Sequence, residues 1–157
     1  MRYASIVGIF TVMLMMVPSL VFAEHVIDDS KQTGYLFVVS GTSGSLDGDT
    51  LTLNGVPNVV YFTDRPARKA GHTSVTKFID NWHKGAESLK SNPPNAVLSI
   101  LSEKGNQNIV VVLQNTTVEG NGISFKIKII EGTAPKEFKA SSLFIDPIRN
   151  EGPWTGT

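Results

Sequence analysis

The sequence predicts a mainly β domain of the α+β class: an antiparallel β-sandwich or barrel-like sheet of about seven strands with one amphipathic helix. Three observations predict it. Short apolar runs rich in β-branched and aromatic residues recur along the chain, divided by turns of Gly, Pro, Asn and Asp. A single stretch, Val75 to Leu89, changes to a helical period. Strands and helices do not alternate, which argues against a parallel doubly wound sheet, and the short connections favour antiparallel pairing.

The first 23 residues stand apart from this pattern. Met1-Arg2 supplies a positive start, Ile6 to Val17 is apolar, and Pro18 breaks the run. Val21-Phe22-Ala23 ends in the small-x-small pattern at which secretory signals are cut. The run is too short and wrongly flanked for a stable membrane span. The expectation is a signal peptide over 1–23, a loose polar leader over 24–33, a single globular domain over 34–148 and a flexible tail over 149–157. The protein is then exported, to the periplasm or the exterior, with no membrane span once the signal is cut.

Within the domain, Tyr35 to Val39 reads as a compact apolar strand, and Gly41 to Gly44 as a turn. Leu46, Leu51 and Leu53 alternate with polar residues around a turn at Gly48-Asp49. Val59 to Phe62 is a further strand. Val75, Phe78, Ile79 and Trp82 fall at i, i+3, i+4 and i+7 of a helix that Thr73 or Ser74 caps. Gly85 either ends that helix or lets it continue weakened to Lys90, and Asn92-Pro93-Pro94 forbids it going further. Ala96 to Leu101 and Ile109 to Leu113 form strands about the turn-forming Glu103 to Gln107. Ile123, Phe125, Ile127 and Ile129 alternate with Ser124, Lys126 and Lys128, as in a strand with one wet face. Ser142 to Ile145 is the last strand. Trp82, on the apolar stripe of the helix, belongs to the core rather than to a sugar-stacking platform.

Composition excludes several classes of function. The chain has no cysteine, so disulfides, thiolate metal sites, a cysteine nucleophile and lipoprotein anchoring are ruled out. The formal net charge is zero, which gives no bulk attraction to nucleic acid or to an anionic membrane. No nucleophile elbow, P-loop or dinucleotide fingerprint is present, and no cofactor is expected. The three histidines, His25, His72 and His83, lack metal-ligand spacing, so no metal site is expected. Asn115-Thr116-Thr117 fits the glycosylation sequon.

The densest chemistry lies between Tyr61 and His83. Asp64, Arg65, Arg68 and His72 follow a strand end and precede the helix, whose first turn offers free N–H donors. Arginine grips carboxylates and phosphates through paired hydrogen bonds, so these four residues are the candidate binding set for a small anionic ligand. The competing reading is structural and is the favoured one: Asp64 stabilises its turn, and Arg65 braces the fold by pairing with Asp146.

The stretch from about Tyr61 to Asp146 resembles a family of small secreted bacterial proteins of uncharacterised function. The matching runs are Phe62-Thr63-Asp64-Arg65-Pro66, Gly71-His72, the helix with Phe78 and Trp82, Asn92 to Ala96, Ile109 to Leu113, and Ser142 to Asp146. The resemblance implies an exported bacterial domain and carries over neither an activity nor a catalytic residue. The leading expectation is therefore a non-enzymatic exported domain that binds a ligand or an envelope protein, or serves the envelope structurally. The alternative is a small periplasmic acid–base enzyme, hydrolase-like, using His72 with Asp64, Arg65 or Asp80.

Overall fold

Alternation along each strand decides which side chains are enclosed. The computed structural model describes residues 34–84, 91–103 and 105–149. In chain order these form β1 (Gly34–Gly41), β2 (Ser43–Asp47), β3 (Thr50–Asn54), β4 (Val59–Thr63), β5 (Ala70–Thr73), α1 (Val75–Trp82), β6 (Asn95–Ile100), β7 (Gln107–Glu119), β8 (Gly122–Glu131), β9 (Glu137–Phe138) and β10 (Ser141–Arg149). The expected signal peptide, the leader and the tail beyond Arg149 lie outside the described residues. β10 runs through Arg149, just past the expected end of the domain.

The ten strands make one sheet in the order β5-β4-β1-β10-β6-β7-β8-β3-β2-β9, antiparallel at every pairing. It is curled and barrel-like but not closed, with β5 and β9 as its edges. Both edges are short, which limits the unpaired backbone on offer to another chain. The antiparallel, mainly β expectation with one helix therefore holds. The expected count of about seven strands was low, because three short ones are hard to read from sequence. β2 begins inside the expected Gly41–Gly44 turn, β5 occupies the expected loop at Gly71-His72, and β9 has two residues.

Glycine explains the first of these. β1 and β2 are separated by Thr42 alone, whose N–H donates to the Asn54 carbonyl at 2.9 Å, so the chain bends without leaving the sheet. Gly44 lies where a Cβ would meet the Phe138 ring and stand 2.8 Å from the Thr52 carbonyl. A larger residue there would push Phe138 out of the core. The turn expected at Gly48-Asp49 is present: Asp47 pairs with Thr50, and Gly48 takes φ +59°. Glu119 likewise pairs with Gly122 across Gly120-Asn121.

The inner face holds Phe37, Val39, Leu51, Leu53, Val59, Tyr61, Leu98, Ile109, Val111, Leu113, Ile123, Phe125, Ile127, Leu143 and Ile145. The helix packs on it. Ser74 is the N-cap, its hydroxyl accepting from the Lys77 N–H at 3.2 Å, while Thr73 is buried in β5 opposite Val59. Phe78, Ile79 and Trp82 are buried, and Val75 packs against the core from its margin. A chain of rings crosses the interior through the helix: Phe37–Phe78 at 5.2 Å, Phe78–Trp82 at 5.5 Å and Trp82–Phe125 at 5.8 Å between centroids.

The helix also covers backbone that the sheet leaves open. β6 pairs with β7 from Gln107 to Val112, after which no strand among the described residues lies on that side of β7. The Leu113 N–H donates to the Pro94 carbonyl at 2.9 Å, and Nε2 of His83, just past the helix, meets the Thr116 carbonyl at 3.2 Å. Replacing Phe78 with Ala removes the middle ring of the chain, and the expected loss of unfolding free energy is about 3–5 kcal/mol. Urea denaturation measures it; a loss below about 1 kcal/mol would mean that the helix is not part of the cooperative core.

Candidate functional site

Asp64 follows the last residue of β4. Its N–H donates to the Gly34 carbonyl at 3.2 Å, and its Oδ1 accepts from the Gly34 N–H at 3.3 Å. The Arg68 N–H donates to the Asp64 carbonyl at 3.1 Å, closing the turn, and Arg68 takes φ +47°. Thr63 and Lys69 bind each other at the base of the turn: the Thr63 N–H reaches the Lys69 carbonyl, and the Lys69 N–H reaches the Thr63 hydroxyl, both at 2.8 Å. Asp64 thus joins the β4–β5 turn to the first residue of β1. Its role is the bracing one that its position before Pro66 suggests.

Arg65 does not brace. It is exposed at the tip of the turn, and the ion pair among the described residues is Lys126–Asp49. The expected partner, Asp146, is exposed on β10. Topology separates the two: β4 and β10 flank β1 on opposite sides, so a whole strand stands between them. The Lys126 ammonium lies 2.6 Å from Asp49 Oδ1 and holds that carboxyl below its ordinary pKa, chiefly through this hydrogen bond.

The other candidates are scattered. Arg68 is exposed in the turn. His72 is exposed on β5 opposite Val60, two pairs beyond the Phe62–Ala70 end of that hairpin. Asp80 is exposed on the helix, and the His83 imidazole is directed to Thr116 rather than to Asp80. The structure therefore brings no carboxylate or arginine into hydrogen-bond contact with His72 among the described residues. No group of three His, Asp or Glu that could hold a metal ion occurs among them either. Asn115 of the sequon is half-buried in β7, with its Oδ1 enclosed.

What does assemble lies on the outer face of the sheet. Cross-strand partners share a face, so the register gives its layout directly. His72 pairs with Val60, Val60 with Val38, Val38 with Phe144, Phe144 with Val97, Val97 with Val110 and Val110 with Glu131. The result is one row across seven strands, apolar through its middle five members, with an imidazole at one end and a carboxylate at the other. A parallel row adds Phe62 opposite Leu36, and Asn95 opposite Val112. On the far side a polar row, Ser40, Ser142, Ser99 and Asn108, bounds the patch.

Phe144 is 49% exposed, Val60 44% and Phe62 40%, values far from the near-zero exposure of the inner face. Beside the Phe144 ring lies a shallow depression of about 260 Å³, bounded by Leu36, Asn95, Val97, Val110 and Asp146. On β2, β3 and β8 as far as Lys128 the outer face has the opposite character. Ser45 pairs with Thr52, Thr52 with Ser124 and Ser124 with Thr117. The Thr52 and Ser124 hydroxyls are 2.8 Å apart, and Glu119 accepts from Ser124.

No family model, curated protein or solved structure matches the chain.

Sequence reasoning centred on charged residues missed this surface, although a signal for it exists. Tyr35 to Val39, Val59 to Phe62 and Ile109 to Leu113 are continuous apolar runs, whereas the residues of β3 and β8 alternate. An unbroken run marks a strand with apolar side chains on both faces. Two substitutions separate the roles in the turn. Arg65→Ala should change unfolding free energy by less than about 0.5 kcal/mol, as for an ordinary surface residue. Asp64→Ala should cost about 1 kcal/mol through its bond to β1. Denaturation of both variants is the check, and a loss of 3 kcal/mol or more (about what a broken buried pair costs) in Arg65→Ala would restore the brace.

Proposed function

We propose that this chain is an exported, non-enzymatic binding domain that docks a protein partner on the outer face of β4, β1, β10, β6 and β7. The observation that carries this reading is the contrast across one sheet. The same outer surface is lined by hydroxyls and charges on β2, β3 and β8 as far as Lys128, and by Val60, Phe62, Leu36, Val38, Phe144, Val97 and Val110 on the other strands, with Ile130 exposed at the end of β8. The inner face already encloses the core, so folding gains little from these outward side chains. Contiguous exposed apolar patches with polar rims mark interaction sites on soluble proteins.

The depression beside Phe144 is shallow. Sites for small molecules enclose most of the ligand, which an open hollow of about 260 Å³ on a sheet face does not do. A partner that brings its own surface fits better than a free ligand. The signal-like pattern of residues 1–23 and the resemblance of residues Tyr61 to Asp146 to secreted bacterial proteins support export. His72, on β5 away from the turn that holds Asp64, Arg65 and Arg68, makes no hydrogen bond to any of them, which offers no support to the acid–base alternative.

A photoreactive amino acid placed at position 144, and separately at position 52, tests the reading in exporting cells. Irradiation should give adducts above the monomer mass from position 144 and none from position 52. The un-crosslinked protein should have the mass of a chain beginning at Glu24. Equal adducts at both positions, or none at position 144, would remove the docking surface.

A further inference from the structure

We infer that the open edge of β5 is a strand-addition site for an extended, carboxylate-bearing segment of a partner protein. The site is the edge beside the outer apolar face, not the face itself, and either reading can fail without the other.

β5 stands first in the sheet order, with β4 on one side only. The register of that hairpin decides which backbone groups are free. The Thr63 N–H donates to the Lys69 carbonyl at 2.8 Å, so these two residues turn their backbone groups toward each other. In an antiparallel ladder every second pair is bonded in this way. Tyr61–Gly71 and Val59–Thr73 are then the bonded pairs, and Ala70 and His72, opposite Phe62 and Val60, turn their N–H and C=O groups outward. Both residues are exposed, and no hydrogen bond reaches these groups among the described residues. β5 contains neither Lys nor Pro, the residues that commonly blunt an edge. The other edge offers less. In β9 the Leu46 N–H bonds the Lys136 carbonyl and Gly44 pairs with Phe138, which leaves Glu137 alone facing outward.

Charge selects the occupant. Arg65, Arg68 and Lys69 are exposed in the turn that leads into β5, and none has an ion-pair partner among the described residues. The carboxylate of that turn, Asp64, is engaged by the Gly34 N–H. Uncompensated cations at one end of an open edge attract an acidic segment and repel a basic one. Direction follows from the sheet, which is antiparallel at every pairing. β5 runs away from the turn, so an added strand runs toward it, and its carboxylates come after the residues that pair with Ala70 and His72. Ala70 is small and leaves the flank of the half-exposed Phe62 ring open to an apolar side chain of that strand. Main-chain bonds supply the affinity in this mode of recognition, and the side chains supply the selectivity.

Selection from a library of random peptides displayed on phage, with the purified chain as bait, supplies the probes and the first result. Enriched peptides should carry Asp, Glu or a free C-terminus after a stretch with alternating apolar residues. Synthesis with free and with amidated C-termini separates a terminal carboxylate from side-chain ones. On binding, the amide protons of Ala70 and His72 should exchange more slowly with solvent, read by NMR. His72→Pro removes an outward N–H and no bond to β4, a change that edge strands tolerate. It should weaken binding about tenfold, as for one lost hydrogen bond. Arg65→Glu/Lys69→Glu should weaken it by about tenfold or more, and added salt should weaken binding to the parent chain. Phe144→Lys should leave it unchanged. Circular dichroism checks folding, and Ala70→Pro replaces His72→Pro if the latter is unfolded. No enrichment, enrichment of basic or neutral peptides, or binding indifferent to both His72→Pro and the charge reversal overturns the inference. Peptides lost with Phe144→Lys, with no protection at Ala70 and His72, place the contact on the outer face and remove the edge. Protection at Ala70 and His72 without adducts from position 144 in cells keeps the edge and removes the face.

Discussion

The contact on which the rest of the structure depends is the insertion of Phe78 and Trp82 between the two sides of the curled sheet. Phe37 on β1 and Phe125 on β8 are far apart in the hydrogen-bonded order, and the two helical rings join them. A single sheet with one apolar face cannot bury that face without a second layer or a curl. This protein uses both: the strands bend round, and a two-turn helix fills the space they enclose. The sequence invests in that helix economically, with Ser74 as its cap and three consecutive apolar contacts at helical spacing. His83, just past α1, also meets the Thr116 carbonyl of β7, so the segment that closes the core reaches open backbone as well.

Once the inner face is filled, the outer face is not needed to enclose the core, and its composition answers to other requirements. Across β2, β3 and β8 as far as Lys128 it is what a solvated sheet requires: Ser45, Thr52, Ser124 and Thr117 in register, with Lys126 and Asp49 paired beside them. Across β4, β1, β10, β6 and β7 it is apolar, although the strands there have the same one-sided access to the core. A requirement common to all strands cannot produce such a division within one sheet. A local requirement can, and a docking partner is one.

Much of the fold was legible because it rests on periodicity. The helix at Val75, the alternating strand from Ile123 and the turn at Gly48 all follow from local chemistry that the surroundings reinforce. The short strands were not legible: β5 and β9 have too few residues to establish a period, and Gly41 to Gly44 reads as a turn until the neighbouring strands are in place. The site was less legible still. Asp64 braces its turn as the residues suggest, but the Arg65–Asp146 pair depended on a neighbour relation between strands that composition does not encode. The outer face is built from eight or so side chains on five strands, and only the register makes them one surface. What the sequence did hold was the unbroken apolar character of those strands, a signal about faces rather than about chemistry.

The central claim is that the outer apolar face serves association and not folding. The direct measurement is the stability of a chain in which Val38, Val97, Val110 and Phe144 are all replaced by Thr, which keeps β-branched side chains on the strands while removing the apolar surface. If the account is right, urea unfolding of this variant under monomeric conditions should give a free energy within about 1 kcal/mol of the parent, as expected for substitutions outside the core. A loss of several kcal/mol, comparable to that of Phe78→Ala, would show that these residues hold the fold together and would contradict the account.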